Sequence, residues 1–221
     1  FLYNNLYIYI LKNCVNCNNI IMELKSDNYK KYLNPNTSWI QYNNNIPNEL
    51  KLNNNYFEIL WNLHPAEKKK IKFFNKEIET PRWYQSYGKS YKFSGTIDTA
   101  VEIPAIINNY ITWANKVDPS KEKFNMALVN WYEDGNHYIG EHSDDEKQII
   151  SNSPIYCFSF GEERDFILIN KKDRTDKTKI YLENNSLIIM GGTCQKTHKH
   201  TLPKRLKKKN RRISITLRKF K

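Results

Sequence analysis

The sequence predicts a mostly β fold, an antiparallel jelly-roll core carried by an N-terminal helical buttress. Three observations predict it. Helical periodicity is confined to the region before residue 118, short strand-like runs follow one another after it, and residues 212–218 alternate between polar and apolar side chains. Helices first and a train of short strands afterwards is the element order of such a layered β architecture.

Residues 23–50 read as a polar leading segment with Asn43-Asn44-Asn45 and Pro47. A short helix is expected over 53–63, where Tyr56, Leu60 and Leu63 share one side and the Pro65 region breaks the pattern. Ile103, Ile106, Ile107, Tyr110, Trp113, Ala114 and Val117 recur at helical spacing, so a helix is expected over 100–117. Strands are expected roughly at 124–132, 137–143, 154–160, 165–170, 178–182, 186–190 and 212–218. In the last, Arg212, Ser214, Thr216 and Arg218 share one face and Ile213, Ile215 and Leu217 the other, the pattern of a half-buried strand. No internal repeat or low-complexity linker is visible.

At 221 residues the chain can build one sizeable core, and 39% hydrophobic residues with Tyr 15, Phe 10 and Trp 5 suffice to fill it. A net charge of +12 favours a polyanionic partner, because lysines and arginines release counterions from phosphate backbones whatever the sequence. The basic residues are clustered at Lys68-Lys69-Lys70, at Lys171-Lys172 and over 204–212, which again favours nucleic acid. Four cysteines, at 14, 17, 157 and 194, make no disulfide framework, so a reducing intracellular compartment (nucleus or cytoplasm) is expected. Cys14 and Cys17 have zinc or redox spacing without a second pair. No run of 18 apolar residues exists, so no transmembrane helix and no membrane partner are expected. Residues 1–21 begin without Met and lack a signal-peptide plan; they read as a non-native or disordered leader, with Met22 the expected start. The abundant Asn, Lys, Ile and Tyr point to an AT-rich genome, such as that of a large virus or a protist.

The chemistry concentrates in Gly140-Glu-His142-Ser-Asp144-Asp145 and in the later Thr197-His198-Lys-His200-Thr. His142 and Asp144 are two residues apart, so on an extended strand both leave by one face, whereas Asp145 leaves by the other. Together with one distant histidine, His198 or His200, they supply two imidazoles and a carboxylate. That set occupies one face of a six-coordinate ferrous ion and leaves the other face open, as in non-haem iron oxygenases. The polar face of 212–218 adds two guanidiniums, each able to take a carboxylate through paired N–H donors. Iron beside two such arginines is what a dicarboxylate such as 2-oxoglutarate needs. The competing reading of 212–218 is a solvent-facing edge strand with ordinary surface arginines.

From Pro81 to Lys221 the chain resembles the AlkB-type iron(II)/2-oxoglutarate dioxygenases, which oxidatively dealkylate nucleic acids, and is most similar to their duplex-DNA repair branch in animals. The landmarks are Pro81-Arg82, Tyr87-Gly88, Tyr91-Lys-Phe93-Ser94-Gly95, Asn130-Trp-Tyr132-Glu-Asp-Gly135, Ile139 through Glu146, Ser153-Pro-Ile155, Ser159-Phe-Gly161, Arg164-Asp-Phe166, His200-Thr-Leu-Pro203 and Arg212 through Arg218, all in the family's order. The resemblance implies a double-stranded β-helix (cupin-like) core whose first and last metal ligands sit on facing sheets. It divides the chain into the leader at 1–21, an extension and nucleotide-recognition region at 22–80, and a dioxygenase domain at 81–221.

The resemblance also implies roles. His142, Asp144 and His200 become the iron ligands, the match to His-(Ser/Thr)-Leu-Pro favouring His200 and leaving His198 beside the site or on the surface. Arg212 would hold the distal carboxylate of 2-oxoglutarate, helped by Asn130 and Tyr132, with Arg218 near the chelating end and Thr216 on the same face. Ser214 stands where the family has Asn, which removes one contact to the keto-acid end. Tyr91 and Phe93 fall where a flipped base would be sandwiched against His142. Asp145, Glu146 and Arg164 would line the base-reading pocket beside Arg82, with Ser159 and Asp165 as lesser candidates. Phe74 would be the wedge inserted into the duplex, and Lys204 to Arg211 would track phosphates. The expected protein is a monomeric DNA dealkylase that uses Fe(II), 2-oxoglutarate and O2 on bases such as 1-methyladenine and 3-methylcytosine. The same machinery acting on RNA or on a protein side chain, and a silent nucleic-acid-binding jelly-roll, are the alternatives.

Overall fold

A computed structural model describes residues 22–24, 28–73, 76–93 and 96–221. Its strands run β1 (Met22–Leu24), β2 (Tyr29–Tyr32), β3 (Ser38–Asn43), β4 (Lys70–Phe73), β5 (Lys76–Glu79), β6 (Trp83–Tyr87), β7 (Tyr91–Phe93), β8 (Thr96–Asp98), β9 (Met126–Tyr132), β10 (Ile139–His142), β11 (Ile155–Gly161), β12 (Arg164–Asn170), β13 (Lys177–Leu182), β14 (Ser186–Gly192), β15 (His198–Leu202) and β16 (Arg212–Arg218). Helices α1 (Asn54–Trp61) and α2 (Ala105–Val117) precede β9, and the single turn α3 (Cys194–Thr197) joins β14 to β15.

Two sheets form the body. One is seven-stranded in the order β2-β3-β14-β11-β16-β9-β6, the other five-stranded in the order β1-β13-β12-β15-β10. Apolar residues pointing inward from both, among them Tyr132, Phe166, Leu168, Ile180, Ile188 and Met190, fill the space between them. The outer face of the seven-stranded sheet is covered by α1 and α2, whose Leu60, Trp61, Ile107, Tyr110 and Ala114 pack against Val129, Trp131, Phe158, Phe160 and Ile215. Jelly-roll core and helical buttress are therefore both present.

All seven expected strands form, each within two residues of its expected ends. Helix α2 begins at Ala105 rather than at residue 100. Pro104 sets the fixed φ that suits a helix start, while Val101 upstream gives its N–H to Ser86 O and bridges to Tyr87. Helix α1 starts one residue late because the Asn53 side chain caps it, accepting from the Tyr56 N–H at 3.0 Å. The polar leading segment is a different matter: it supplies β2 and β3, and β3 pairs along its whole length with β14. Within β3, Ser38, Ile40 and Tyr42 are buried and the alternate residues are half-buried. The sheets thus run across residue 80 without a break, and β15 also went unforeseen because it is short and flanked by lysines.

The strand at 212–218 is neither an edge nor half-buried. It lies between β11 and β9, and all seven of its residues are buried. Its apolar face meets the helices, and its polar face meets the space between the sheets.

Two measurements follow from the packing. Phe158 is fully buried and meets Tyr110 at 5.0 Å, so Phe158→Ala is expected to cost about 3–5 kcal/mol in denaturant unfolding, against about 0.5 kcal/mol or less for exposed Leu206→Ala. The second concerns Lys219, fully buried, which reaches Asp118 at 2.7 Å. Burial pushes the Asp118 carboxyl up, but hydrogen bonds from Lys219 and Ser120 outweigh it and hold the group below its ordinary value. A depressed carboxyl stabilises above its unfolded pKa, near 3.9, and that contribution fades as pH falls through the folded value. Stability is expected to decline on acidification below about pH 5, and Asp118→Asn to flatten that decline.

Candidate active site

The fold places two imidazoles and one carboxylate at one point. His142 ends β10 and faces His200 of β15 as its direct cross-strand partner. Asp144 lies two residues past the end of β10. Ligand atoms from the three residues all lie within 4.8 Å of one another. The Asp144 carboxylate stands 3.6 Å from His142 Nε2 and 4.0 Å from His200 Nε2, and the imidazole centroids are 4.1 Å apart. The two histidines sit on neighbouring strands of the same sheet, which corrects the expectation of facing sheets. What the facing sheet contributes is the arginines.

Protonation follows from burial and neighbours. His142 Nδ1 faces the Gly140 carbonyl at 2.9 Å, so that nitrogen carries the proton and Nε2 keeps its lone pair toward Asp144 and His200. Burial, then repulsion from His142, pushes His200 down to about 3. Burial likewise lowers His142 against the pull of Asp144. Burial alone would raise Asp144, but Arg218 and the two imidazoles outweigh it and hold the carboxyl at about 2. Two neutral imidazoles and one carboxylate are the deprotonated donor set that a divalent cation requires. His198, the competing histidine, is buried elsewhere with Nδ1 2.8 Å from Thr197 Oγ1, and Asp145 is exposed, 3.7 Å from Lys171 Nζ.

Register then lines up the polar residues of the seven-stranded sheet. Arg212 pairs with Tyr132, Ser214 with Asn130 and Thr216 with Leu128. All of them, with Arg218, line one cavity shared with His142, Asp144 and His200. Arg218 reaches the Asp144 carboxylate at 2.9 Å with both side chains 3% exposed. Arg212 Nη2 donates to Ser159 Oγ at 2.8 Å and its guanidinium lies 5.1 Å from the Tyr132 ring. Arg212 Nε and Arg218 Nε and Nη1 nevertheless have no hydrogen-bond partner among the described residues. Buried donors are normally satisfied, so the chemistry of this lining suits an anion with oxygens at both ends, and the donor set of His142, Asp144 and His200 suits a hard or borderline divalent metal.

Several side chains sit where the resemblance did not put them. Arg82 donates through Nε to Asn130 Oδ1 at 2.7 Å, so it orients the amide that faces the co-substrate cavity. Tyr91 is buried among Tyr84, Met126, Leu128 and Phe220, with Arg218 5.6 Å from its ring. It backs that arginine, and its ring meets that of Phe220 edge-on at 6.0 Å. Arg164 gives its guanidinium to the carbonyls of Asp134, His137 and Pro203, at 3.1, 2.9 and 2.7 Å, which fixes two loops and leaves little of it for reading a base. Ser159 serves Arg212, and Asp165 binds Arg205 at 2.5 Å and Lys179 at 3.3 Å. Glu146 is half-buried, and its Oε2 has no partner among the described residues; burial raises its pKa against the pull of Arg218. Phe74, the side chain of Phe93, Cys14 and Cys17 lie outside the described residues.

The basic loop is folded onto the body. Gly135 exchanges backbone hydrogen bonds with Arg205 and Lys208, and a Cβ there would sit 1.8 Å from Arg205 O, so only glycine fits. Within the loop Arg205, Lys208 and Arg211 are paired with Asp165, Glu162 and Glu58, whereas Lys207 and Lys209 are exposed without an ion-pair partner among the described residues. Sequence reasoning missed Phe166, whose ring lies 5.2 Å from that of His200, and Gln195, whose Oε1 accepts the Asp144 N–H at 2.9 Å. Phe166 is legible as an inward residue of an expected strand, but nothing local to Gln195 announces its contact.

Residues 44–218 match the 2OG-Fe(II) oxygenase superfamily. DNA oxidative demethylase ALKBH2 of Homo sapiens is 32% identical over 164 residues, covering 68% of this chain and 61% of that protein. Its Mus musculus counterpart is 32% identical over 161 residues, covering 68% and 66%. Alpha-ketoglutarate-dependent dioxygenase alkB homolog 3 of Rattus norvegicus is 35% identical over 103 residues, covering 43% and 35%. The chain spans less than two thirds of the length of each of these relatives. A match over most of the chain, on a site with this donor set, means that the chain belongs to the 2OG-Fe(II) oxygenase superfamily as an AlkB-like member, a class that works with iron(II), 2-oxoglutarate and dioxygen.

Proposed function

We propose that this chain demethylates N-alkylated bases in DNA, 1-methyladenine and 3-methylcytosine being the expected substrates, and releases formaldehyde, succinate and carbon dioxide. One observation carries the reading: a two-histidine, one-carboxylate cluster shares its cavity with buried guanidinium N–H groups that no atom of the described residues satisfies. Relatives that bear the name DNA oxidative demethylase support the choice of substrate.

His142, Asp144 and His200 would hold the iron, and Arg212 and Arg218 the two carboxylates of 2-oxoglutarate. When bound, iron and co-substrate supply oxidation of an N-methyl C–H bond, and the resulting hemiaminal collapses to formaldehyde and the free base. The protein's own residues do the orienting. Arg82 accounts for the Asn130 carbonyl oxygen, so the amide N–H2 remains to donate into the cavity. Tyr132 flanks the Arg212 guanidinium, and Phe166 covers His200 and keeps water from its ring. Arg218 keeps Asp144 ionised and fixed in place. The exposed Lys207 and Lys209 are placed to meet phosphates, since Arg205, Lys208 and Arg211 are already paired and Lys204 lies over the Tyr138 ring.

The decisive assay supplies methylated single- and double-stranded DNA and RNA oligonucleotides with iron(II) and 2-oxoglutarate, and reads the products by mass. Loss of a methyl group from DNA is expected, with His142→Ala, Asp144→Ala and His200→Ala reduced to background. Turnover by His142→Ala would refute the metal assignment, and a preference for single-stranded RNA would move the reading to RNA. Binding should be salt-dependent. Replacing Lys207 and Lys209 together with alanine is expected to shallow the slope of log affinity against log salt by up to about 0.9 per lost phosphate contact, as measured on duplex by fluorescence anisotropy.

A further inference from the structure

Asp144 is held differently from its two companions. His142 and His200 are locked in register as cross-strand partners, and His200 is also paired with Leu168 on its other side. Asp144 lies beyond the last pair of that ladder, two residues past the end of β10, the edge strand of the five-stranded sheet. Its backbone has no strand to follow, yet its carboxylate must meet both imidazoles.

We propose that Gln195 is the positioning residue that sets the Asp144 backbone, and through it the aim of the carboxylate at the metal. The inference rests on the iron reading above. Gln195 Oε1 accepts the Asp144 N–H at 2.9 Å, while its Nε2 donates to Met190 Sδ at 3.4 Å, which fixes which end of the amide faces Asp144. The turn that presents it is itself tied down. Thr197 Oγ1 lies 2.7 Å from Ser38 Oγ, and Lys171 Nζ donates to the Gln195 carbonyl at 2.9 Å. Ser143 Oγ adds a bond to the His198 carbonyl at 2.8 Å, so two successive residues after β10 are attached to the α3 turn and the start of β15. Gln195 and Asp144 both border a cavity of about 380 Å³ whose lining also includes Ile149, Ile150 and Ile155. The ion pair with Arg218 holds the Asp144 carboxylate from the other sheet, and the bond to Gln195 holds its backbone. Groups that orient metal ligands in this way typically change metal affinity by about 10–100-fold when removed.

The test measures Mn(II) binding by electron paramagnetic resonance of the free ion, with melting of each metal-free protein recorded alongside. Gln195→Leu is expected to weaken Mn(II) affinity about tenfold or more at a temperature where the metal-free protein is fully folded. Gln195→Glu keeps the acceptor and is expected to restore affinity toward wild type. If the leucine protein does not fold, Gln195→Asn, whose amide stops one methylene short, carries the same expectation. Equal affinity in wild type and Gln195→Leu overturns the proposal, as does a glutamate variant as weak as the leucine one. A wild-type protein whose Mn(II) binding is absent, or is untouched by His142→Ala, overturns the iron reading first and this inference with it.

Discussion

The contact between Arg218 and Asp144 is the one on which the rest of the site depends. At 2.9 Å, with both side chains 3% exposed, it joins the last strand of the seven-stranded sheet to the segment that follows the edge strand of the other. A buried ion pair is costly to desolvate and gives little net stability, but removing one partner strands a charge in the interior. Its effect here is therefore on protonation and geometry. It keeps a carboxylate anionic among two imidazoles that burial keeps neutral, which is the condition for receiving a divalent cation.

A second constraint is that β16 separates two interiors. In most sheets a polar face means water. Here Ile213, Ile215 and Leu217 meet the helices, while Arg212, Ser214, Thr216 and Arg218 meet a closed space between sheets. The helical buttress makes this possible, because α2 covers what would otherwise be the outer face and gives the strand an apolar environment on the side away from the chemistry. The partner strand repeats the arrangement, with Asn130 and Tyr132 inward and Val129 and Trp131 toward the helices. Two strands with the same alternation, in register, concentrate polar groups at the level of the histidines.

That history explains which features were legible beforehand. Strands from 124 onward, β15 apart, announced themselves, most of them because they carry an inward apolar set several residues long. The polarity of 212–218 was equally plain, but its meaning was not, since alternation cannot distinguish solvent from a polar cavity. The β3 strand was hidden because its buried set, Ser38, Ile40 and Tyr42, contains a hydroxyl that packs only by bonding Thr193 and Thr197. The three ligand residues were readable from spacing together with the resemblance. Arg82, Arg164 and Tyr91 were harder, because motif position says that a residue is near the site but not which way its side chain is spent. Each turned out to bond or back a neighbour: Arg82 the Asn130 amide, Arg164 three loop carbonyls, Tyr91 the Arg218 guanidinium. Gln195 left no local trace at all, since its contact forms across 51 positions of chain.

Charge in the cavity also orders the binding of its ligands. Among the residues lining the cavity, Arg212 and Arg218 stand against one carboxylate, Asp144, while burial pushes nearby Glu146 toward its neutral form, so positive charge outweighs negative there. A divalent cation entering alone would add to that excess in a medium that screens poorly. A dianion entering alone would satisfy the unpartnered guanidinium N–H groups and reverse the local sign. Each ligand thus corrects the imbalance that the other worsens, and by linkage each raises the affinity of the other by the same factor. On the proposed reading the site suits the pair better than either member. Arg218 would couple them, because its guanidinium holds the Asp144 carboxylate and leaves Nε and Nη1 without a partner among the described residues.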